Sequence, residues 1–326
     1  MSQEIVVADI GGTHARFAIA IIEGKHIAEL QQQVTMKSAD HASLQIAWQA
    51  YGHEIGRTLP RAGAIAVAGP VGGEVLHLTN SSWMIRPALL PEKLGVDQFT
   101  LINDFGAVGH AAALLGPEYF EHICGPEDAL FTSGLTSIVG PGTGMGVAHL
   151  LRTDAGYHVT ETEGGHIDFA PHDQVEDHLL ESLRLIHRRV SVERIVSGPG
   201  LQSIYQAFAE MEGHPVSKLD DKTLWQLALS GGDSIAAAAF DRCCLCLGSF
   251  AGDVALAQGA SSVVIAGGLG SRIASRLPSS GFRERFWAKG RFEGLMKQIP
   301  VKQLTHEQPG LFGAAGAFIM EHGDAS

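Results

Sequence analysis

Two glycine-rich turns, each placed between two apolar runs, constrain the fold of this chain more than any other feature of its sequence. The first lies in VVADIGGTHARFAIA, from Val6 to Ala20, and the second in SIVGPGTGMGVAHL, from Ser137 to Leu150. In both, an apolar strand leads through a tight turn that contains a threonine into another apolar strand. A third apolar run, SVVIAGGLGSR at Ser262–Arg272, again ends in paired glycines. Such distant repeats suggest two related halves, each presenting a turn to a shared cleft.

The rest of the chain alternates short β-rich runs with helical periodicity. Strands are predicted at Ile5–Ala8, Arg16–Ile22, Ala64–Ala68, Val75–Leu78, Thr100–Asn103, Ser137–Val139, Val147–Leu151 and Val263–Ala266. Helices are predicted at His41–Leu59, Gly106–Leu115, Asp173–Val190 (with Asp173 and Glu176 as a capping box), Leu201–Glu212, Leu224–Leu229, Ser234–Gln258 and Leu311–Glu321. This mixture indicates an α/β architecture, and 326 residues favour two domains.

Composition narrows the class of partner. Lys and Arg number 23 against 35 Asp and Glu, and the net charge of −12 gives no footprint for nucleic acid or an anionic membrane. Any bound phosphate must then be held by local geometry. The opening MSQEIVVADIGG has no basic region, which argues against a secretory signal and for a cytoplasmic protein. The charged residues Asp241, Arg242 and Asp253 argue against a membrane span in the long apolar stretch 234–259.

The cysteines fit a reduced compartment. There are 4 in the chain, and Cys243, Cys244 and Cys246 crowd into one apolar helical pattern. Their spacing matches no zinc motif, so we expect buried packing.

The two turns match neither the P-loop nor the dinucleotide-binding fingerprint. A hairpin turn with converging backbone N–H groups can nevertheless hold an anion, because glycines allow close approach and positive φ and a threonine hydroxyl adds a donor. Asp9 would repel phosphate unless a Mg²⁺ stood between them. One such turn is more simply an ordinary hairpin. Two of them favour phosphate binding, through Asp9, Gly11, Gly12, Thr13 and Arg16 in the first and Gly140, Gly142, Thr143, Gly144 and Gly146 in the second.

A carboxylate follows the predicted strand in TLINDFGAV, where Asn103 and Asp104 precede a small-residue helix. On residue type alone, Asp104 fits a helix N-cap and a catalytic base equally well. Similarly, Glu163, His166, His172 and Asp173 have the residue types of a metal site, although 16 histidines in the chain make a chance cluster easy.

Seven motifs, in this order, resemble those of bacterial-type glucokinases, members of the sugar kinase/Hsp70/actin superfamily: DIGGTHAR, LINDFGAV, GPGTGMGVAHL, EGGHIDFAP, VERIVSGPGL, IAGG and PGLFGAAGAF. The resemblance runs from about Ile5 to Phe318. It implies a two-domain actin-like ATPase (ribonuclease H-like) fold, with a cleft between a small α/β domain (1–112 plus 304–326) and a larger α+β domain (113–303). It also implies that ATP, with Mg²⁺, phosphorylates the 6-hydroxyl of glucose in the first step of glycolysis, in a cytoplasmic homodimer.

The resemblance assigns roles to individual residues. Asp104 would be the catalytic base, and the glucose pocket would comprise Asn103, Asp104, Glu163, His166 and Glu193. ATP would contact Ala8, Asp9, Ile10, Gly11, Gly12, Thr13 and Arg16 in the first turn, Gly140, Gly142, Thr143, Gly144 and Gly146 in the second, and Ala266, Gly267 and Gly268 near the adenosine. With less weight, Asn80 and Trp83 would lie near the sugar.

Two further features belong to the resemblance. His14 stands where the family most often has Asn, and both residues tolerate a left-handed backbone better than most. The Gly- and Ala-rich helices after Asp104 and near the C-terminus match helices that act as a hinge in the superfamily, although tight static packing explains them equally well.

Rival functions remain open at this point. The same class of enzyme includes kinases for another hexose, such as mannose or fructose. A nucleotide-switched sugar-sensing protein or an actin-like assembly protein belongs to a different class. A sensing protein often carries a DNA-binding helix-turn-helix before this fold, for which we expect no room ahead of Asp9.

Overall fold

The computed structural model describes residues 2–78, 82–127, 133–215 and 219–323. Within them the strands are β1 Ser2–Ile10, β2 His14–Glu23, β3 His26–Lys37, β4 Ala62–Val67, β5 Leu76–His77, β6 Met84–Ile85, β7 Gln98–Asn103, β8 Phe120–Cys124, β9 Gly134–Pro141, β10 Met145–Thr153, β11 Gly156–Thr162, β12 Ser262–Ile265 and β13 Val301–Leu304. The α-helices are α1 Leu44–Glu54, α2 Leu90–Leu94, α3 Asp104–Leu114, α4 Gln174–Arg184, α5 Gly200–Met211, α6 Asp221–Ser230, α7 Ser234–Gln258, α8 Gly267–Ile273, α9 Phe282–Trp287, α10 Glu293–Met296 and α11 Pro309–His322.

The chain divides into two compact units. Unit 1 comprises Met1–Leu115, Val159–Glu161 and His306–Ser326, and unit 2 comprises Gly116–His158 and Thr162–Thr305. The predicted division into a small domain (1–112 plus 304–326) and a larger domain (113–303) remains a proposal.

Unit 1 is built on a five-stranded sheet with the order β3-β2-β1-β4-β7. β1 pairs with β2 antiparallel, whereas β4 lies parallel to both β1 and β7. Every residue of β4 is buried, as expected for a parallel strand covered on both faces. One face packs against Trp48 and Tyr51 of α1, and the other against α11, which includes Phe318.

Close packing between α3 and α11 explains their small residues. A Cβ atom added at Gly313 of α11 would overlap the carbonyl of Ala107 in α3, so glycine is required there. The close approach that the Gly- and Ala-rich segments suggest is therefore present, and a hinge role stays a prediction.

Unit 2 is built on a six-stranded sheet with the order β11-β10-β9-β12-β13-β8. β9 pairs with β10 antiparallel, and β12 lies parallel to β9 and to β13. The strand order of unit 1 thus recurs, because each sheet contains a glycine-turn hairpin whose first strand is followed by two parallel neighbours. This mixture of sheets and helices confirms the predicted α/β class.

The core of unit 2 surrounds α7, which has the predicted bounds Ser234–Gln258. The Asp233 side chain accepts the N–H of Ala236 at the start, and Gly259 ends the helix in the left-handed region. The four cysteines are free and buried, and burial raises the pKa of the Cys243 thiol to about 12. By length and composition, α7 could cross a membrane, but 67% of its most apolar window is buried within the protein, as in a core helix.

The prediction for α4 is wrong at its C-terminal end. The helix stops at Arg184 rather than Val190, and Ile186, within the range predicted as helix, is 74% exposed. The chain turns there because Phe169 N–H donates to Val190 O at 3.1 Å, which draws the segment back into backbone pairing. At the other end Asp173 caps the helix, while Glu176 accepts the N–H of His172 at 2.8 Å, one residue earlier than in a standard capping box.

Candidate active site

The first glycine turn joins β1 to β2 in unit 1. Gly11 N–H donates to His14 O at 2.9 Å, which closes the turn. Ser38, which follows β3, also holds the turn, because its N–H donates to Thr13 O at 2.9 Å and its hydroxyl donates to Gly11 O at 3.1 Å. His14 has extended backbone at the start of β2 and pairs with Lys37 of β3, so left-handed tolerance is not what this position requires.

Asp9 lies at the end of β1 and is paired rather than solvated. Its Oδ2 lies 3.0 Å from Arg16 Nη1, and the two residues are opposite each other in the β1–β2 ladder. Gly310, in the first turn of α11, lies against the same carboxylate, because a Cβ there would be 2.8 Å from Oδ2. Burial raises the pKa of Asp9, and Arg16 only partly offsets this. The structure thus places the two residues as partners.

Asn103 and Asp104 lie where β7 passes into α3. The N-cap is Asn103, not Asp104: its Oδ1 accepts the N–H groups of Phe105 at 2.7 Å and Gly106 at 3.1 Å. The Asn103 amide also donates to Gly69 O at 3.0 Å, which fixes the side chain. Asp104 begins the helix, and its Oδ1 accepts the N–H of Phe105 at 2.9 Å. Of the two predicted readings of Asp104, the N-cap is therefore wrong.

The second glycine turn joins β9 to β10 in unit 2. Gly142 N–H donates to Gly144 O at 2.8 Å, and Gly142 O accepts the N–H of Gly198 at 2.7 Å. The paired glycines after β12 lie on the same turn. Gly267 has a φ of +79°, and a Cβ there would be 2.7 Å from Pro141 O. The motifs around Gly142, Gly198 and Gly267 therefore meet in three dimensions.

The glycines of the two turns were expected to supply positive φ, and three of them do not. Gly11, Gly142 and Gly144 lie outside the left-handed region, so positive φ is not the reason for glycine at these positions. Gly144 is instead approached closely by a side chain, because a Cβ there would overlap Oε2 of Glu193.

The three residues predicted to bind sugar in unit 2 lie together. His166 Nε2 is 3.8 Å from Glu163 Oε2 and 3.9 Å from Glu193 Oε1. Gly165, between the first two, packs so tightly on Met145 of β10 that no side chain would fit. The side chains of Glu163 and His166 are more than half exposed, whereas that of Glu193 is 27% exposed and its Oε2 accepts the N–H of Met145 at 3.0 Å.

The alternative metal site is not formed. His172 Nε2 lies 2.8 Å from Ser249 Oγ, and Asp173 caps α4 while it pairs with Arg242 at 2.5 Å. Among residues 2–78, 82–127, 133–215 and 219–323, no group of three or more His, Cys, Asp or Glu could hold a metal ion. Asn80 lies outside the described residues, and Trp83 is buried with its indole N–H donating to His41 O at 2.8 Å.

Sequence reasoning did not identify several residues that support the site. These are Ser38, Gly69 and Gly198, whose backbone or hydroxyl groups hold the first turn, Asn103 and the second turn. Gly69 has a φ of +124° and precedes a proline, a turn signal that could have drawn attention to it. Ser38 gives no such signal, because the strand pairing alone brings it to the turn.

Solved structures establish the class of protein. The crystal structure of a glucokinase from an Antarctic psychrotroph matches with a TM-score of 0.82 and 37% identity, over 97% of this chain and 98% of the other. A ROK family glucokinase from Streptomyces griseus, in complex with glucose and AMPPNP, shares the fold with a TM-score of 0.63 at 17% identity, over 96% and 98% of the two chains. The chain has the two-domain actin-like ATPase fold of these sugar kinases, as predicted.

Sequence comparison establishes the family. A model of the glucokinase family matches residues 6–321. The glucokinase of Zymomonas mobilis subsp. mobilis is 60% identical over 321 residues, which cover 98% of this chain and 99% of that protein. The glucokinase of Caulobacter vibrioides is 41% identical over 322 residues, covering 97% and 95%. The chain belongs to the glucokinase family. The predicted activity, ATP-dependent phosphorylation of glucose, is confirmed, and the rival functions are not favoured.

Proposed function

We propose that the enzyme transfers the γ-phosphoryl group of ATP to the 6-hydroxyl of glucose, with Asp104 as the base. The observation that carries this assignment is the arrangement of Asn103 and Asp104 at the start of α3. Asn103 is the N-cap residue, and Asp104 takes the next position, the first of the helix, where its Oδ1 accepts the N–H of Phe105 at 2.9 Å. The strand β7 and the capped helix α3 together fix the backbone position from which the Asp104 side chain extends.

A base is needed because the 6-hydroxyl must lose its proton as its oxygen attacks phosphorus. In the proposed reaction, Asp104 orients that hydroxyl and accepts its proton. The side-chain oxygen of Asn103 caps α3, and one of its amide N–H groups donates to Gly69 O. Its remaining amide N–H is the group that it offers to glucose.

We assign Glu163, His166 and Glu193 to the other glucose hydroxyls. Carboxylates accept hydrogen bonds from hydroxyl groups, and an imidazole can donate or accept, so this trio suits a neutral polyol. His166 Nε2 lies within 4 Å of a carboxylate oxygen of Glu163 and of one of Glu193, and the side chains of Glu163 and His166 are open to solvent.

The two turns are proposed to hold the phosphates, with Ala266, Gly267 and Gly268 near the adenosine. Magnesium fits this arrangement as an ion carried by ATP, because the described residues form no cage of their own and Asp9 supplies one carboxylate at the first turn. When bound, Mg²⁺ neutralises negative charge on the phosphates. Arg16 holds the Asp9 carboxylate in place and balances its charge.

The test is Asp104→Asn, which keeps the size of the side chain but removes the base. We expect turnover to fall by about a thousandfold, while the glucose Kd stays within a few-fold of wild type. Asp97→Asn is the matched control, because Asp97 is exposed and pairs with Arg61 away from the proposed site. Its turnover should be unchanged. Near-normal turnover in the Asp104 variant would remove that residue from the role.

A coupled assay of ADP release with glucose, mannose and fructose tests the sugar. We expect the highest kcat/KM with glucose. Higher efficiency with another hexose would reassign the pocket.

We further propose a cytoplasmic homodimer without a nucleic-acid or membrane partner, in line with the net charge of −12. Light scattering should then give twice the chain mass of 34.5 kDa. A mass of one chain would reject the dimer.

A further inference from the structure

Glu193 uses its two carboxylate oxygens on two different features of unit 2. Oε1 lies 3.9 Å from His166 Nε2, on the side of the proposed glucose-binding trio. Oε2 accepts the backbone N–H of Met145 at 3.0 Å, directly after the second glycine turn. Gly144, the last turn residue, lies against the same oxygen, where a Cβ would overlap it.

The backbone of Glu193 is also held firmly. Val192 N–H donates to Ile167 O at 3.0 Å, and Asp168 forms a backbone bridge with Ser191. The segment that carries Glu193 is thus tied to the residues that follow His166. With the backbone that leads into Glu193 held in this way, rotation of the side chain is the simplest means of shifting the carboxylate.

We propose that Glu193 is a positioning residue that couples glucose binding to the geometry of the second phosphate turn, and that Gly144 is required because it leaves room for this contact. This inference rests on the proposed function. A glucose hydroxyl that donates to Oε1 restricts the side chain, and the restricted side chain holds the Met145 N–H through Oε2. Bound glucose therefore orders the second turn in advance, so ATP has less of the turn to order when it binds. This is positive coupling between the two ligands.

The proposal predicts that a turn residue controls sugar affinity. In Gly144→Ala the added methyl group forces Oε2 back by about an ångström to restore van der Waals contact. Glu193 then loses Met145, and Oε1 leaves its position beside His166. Glucose affinity should fall although no residue of the sugar trio has been changed.

Gly142→Ala is the matched control. It adds the same methyl group two residues away in the same turn, where a Cβ would have no heavy atom within 4 Å. Whatever this substitution does to nucleotide binding, it leaves Glu193 alone and should leave the glucose Kd within about twofold of wild type.

The experiment is calorimetric titration of the purified full chain and its variants with glucose in the absence of nucleotide. AMPPNP is then titrated with and without saturating glucose. We expect the glucose Kd of Gly144→Ala to rise at least about fivefold, and saturating glucose to tighten AMPPNP binding about fivefold or more in wild type but less than twofold in that variant.

Three results would overturn the inference: an unchanged glucose Kd in Gly144→Ala, an equal rise in both glycine variants, or no coupling in wild type. A wild-type enzyme without glucose-dependent ADP release would instead reject the proposed function, and the inference with it.

A second pair of variants tests whether Gly144 acts through Glu193, and it keeps the proposal testable if Gly144→Ala folds poorly. Glu193→Asp shortens the side chain, withdraws it from Met145 and makes room for a methyl group. It should abolish the coupling by itself, and adding Gly144→Ala should then change the glucose Kd by less than about twofold. Retained coupling in Glu193→Asp, or additive effects in the double variant, would contradict the proposal.

Discussion

Gly267→Ala is expected to destabilise unit 2 and to disturb the second phosphate turn. Gly267 has a φ of +79°, a conformation that costs an alanine about 1–2 kcal/mol. The new Cβ would also lie 2.7 Å from Pro141 O and 3.1 Å from Gly140 C. Both atoms belong to the backbone that leads into the turn, so they cannot rotate away as a side chain could.

Relief of this overlap adds about 1–3 kcal/mol, the usual cost of inserting a methyl group into a well-packed region. The sum predicts a loss of about 2–5 kcal/mol in the free energy of unfolding. A shift of about half an ångström at Pro141 would pass to the turn at Gly142, and we expect AMPPNP binding to weaken about tenfold.

Gly268→Ala provides the control for stability. It lies at the next position of α8, where a Cβ meets no heavy atom within 4 Å and φ is not left-handed. Alanine favours a helix more than glycine does, so this variant should be at least as stable as wild type. Urea denaturation followed by circular dichroism compares the two. Equal midpoints for the two variants would refute the role given to backbone contact at Gly267.

Two further predictions concern charge inside each unit. Glu176→Gln should lower the free energy of unfolding, measured by urea denaturation, by about 3–5 kcal/mol, because Glu176 is buried and pairs with Arg242 at 2.8 Å and Arg285 at 3.3 Å. A loss below about 1 kcal/mol, which is the size expected for the exposed pair of Asp97 and Arg61, would contradict this prediction. Burial lowers the pKa of His110 to about 4 from the ordinary 6.5, so the unfolded chain takes up the proton first as pH falls, and stability should drop by about 2 kcal/mol between pH 7 and pH 5. The same slope in His110→Gln would show that another group is responsible.

Local sequence rules predicted those elements that carry their own signals. The hairpins around the two turns, the long helix α7 and the capped start of α4 all follow from periodicity, glycine and cap residues near in sequence. Two of the seven motifs that indicated the family, DIGGTHAR and GPGTGMGVAHL, lie in these hairpins, and the class and reaction were predicted from all seven motifs in their order along the chain.

The strands that were missed lack such signals. β3 is an edge strand whose sequence, HIAELQQQVTMK, is mostly polar and more than half exposed, so it shows no clear alternation. β13 is only four residues long and owes its position to pairing with β12 and β8. Both are strands because a neighbouring strand offers hydrogen bonds, which no local pattern records.

The sequence by itself determined where the two glycine turns and the long helix α7 lie, because these depend on residues that are near one another along the chain. Only the tertiary structure decided how the motifs support one another. It pairs Arg16 with Asp9, makes Asn103 the cap in place of Asp104, and sets Gly267 and Glu193 against the second turn. Gly267 and Glu193 lie far from the second turn in the sequence and reach it only in the folded chain. Gly144 shows this most clearly, because the side chain that lies against it is a carboxylate 49 positions further along the chain.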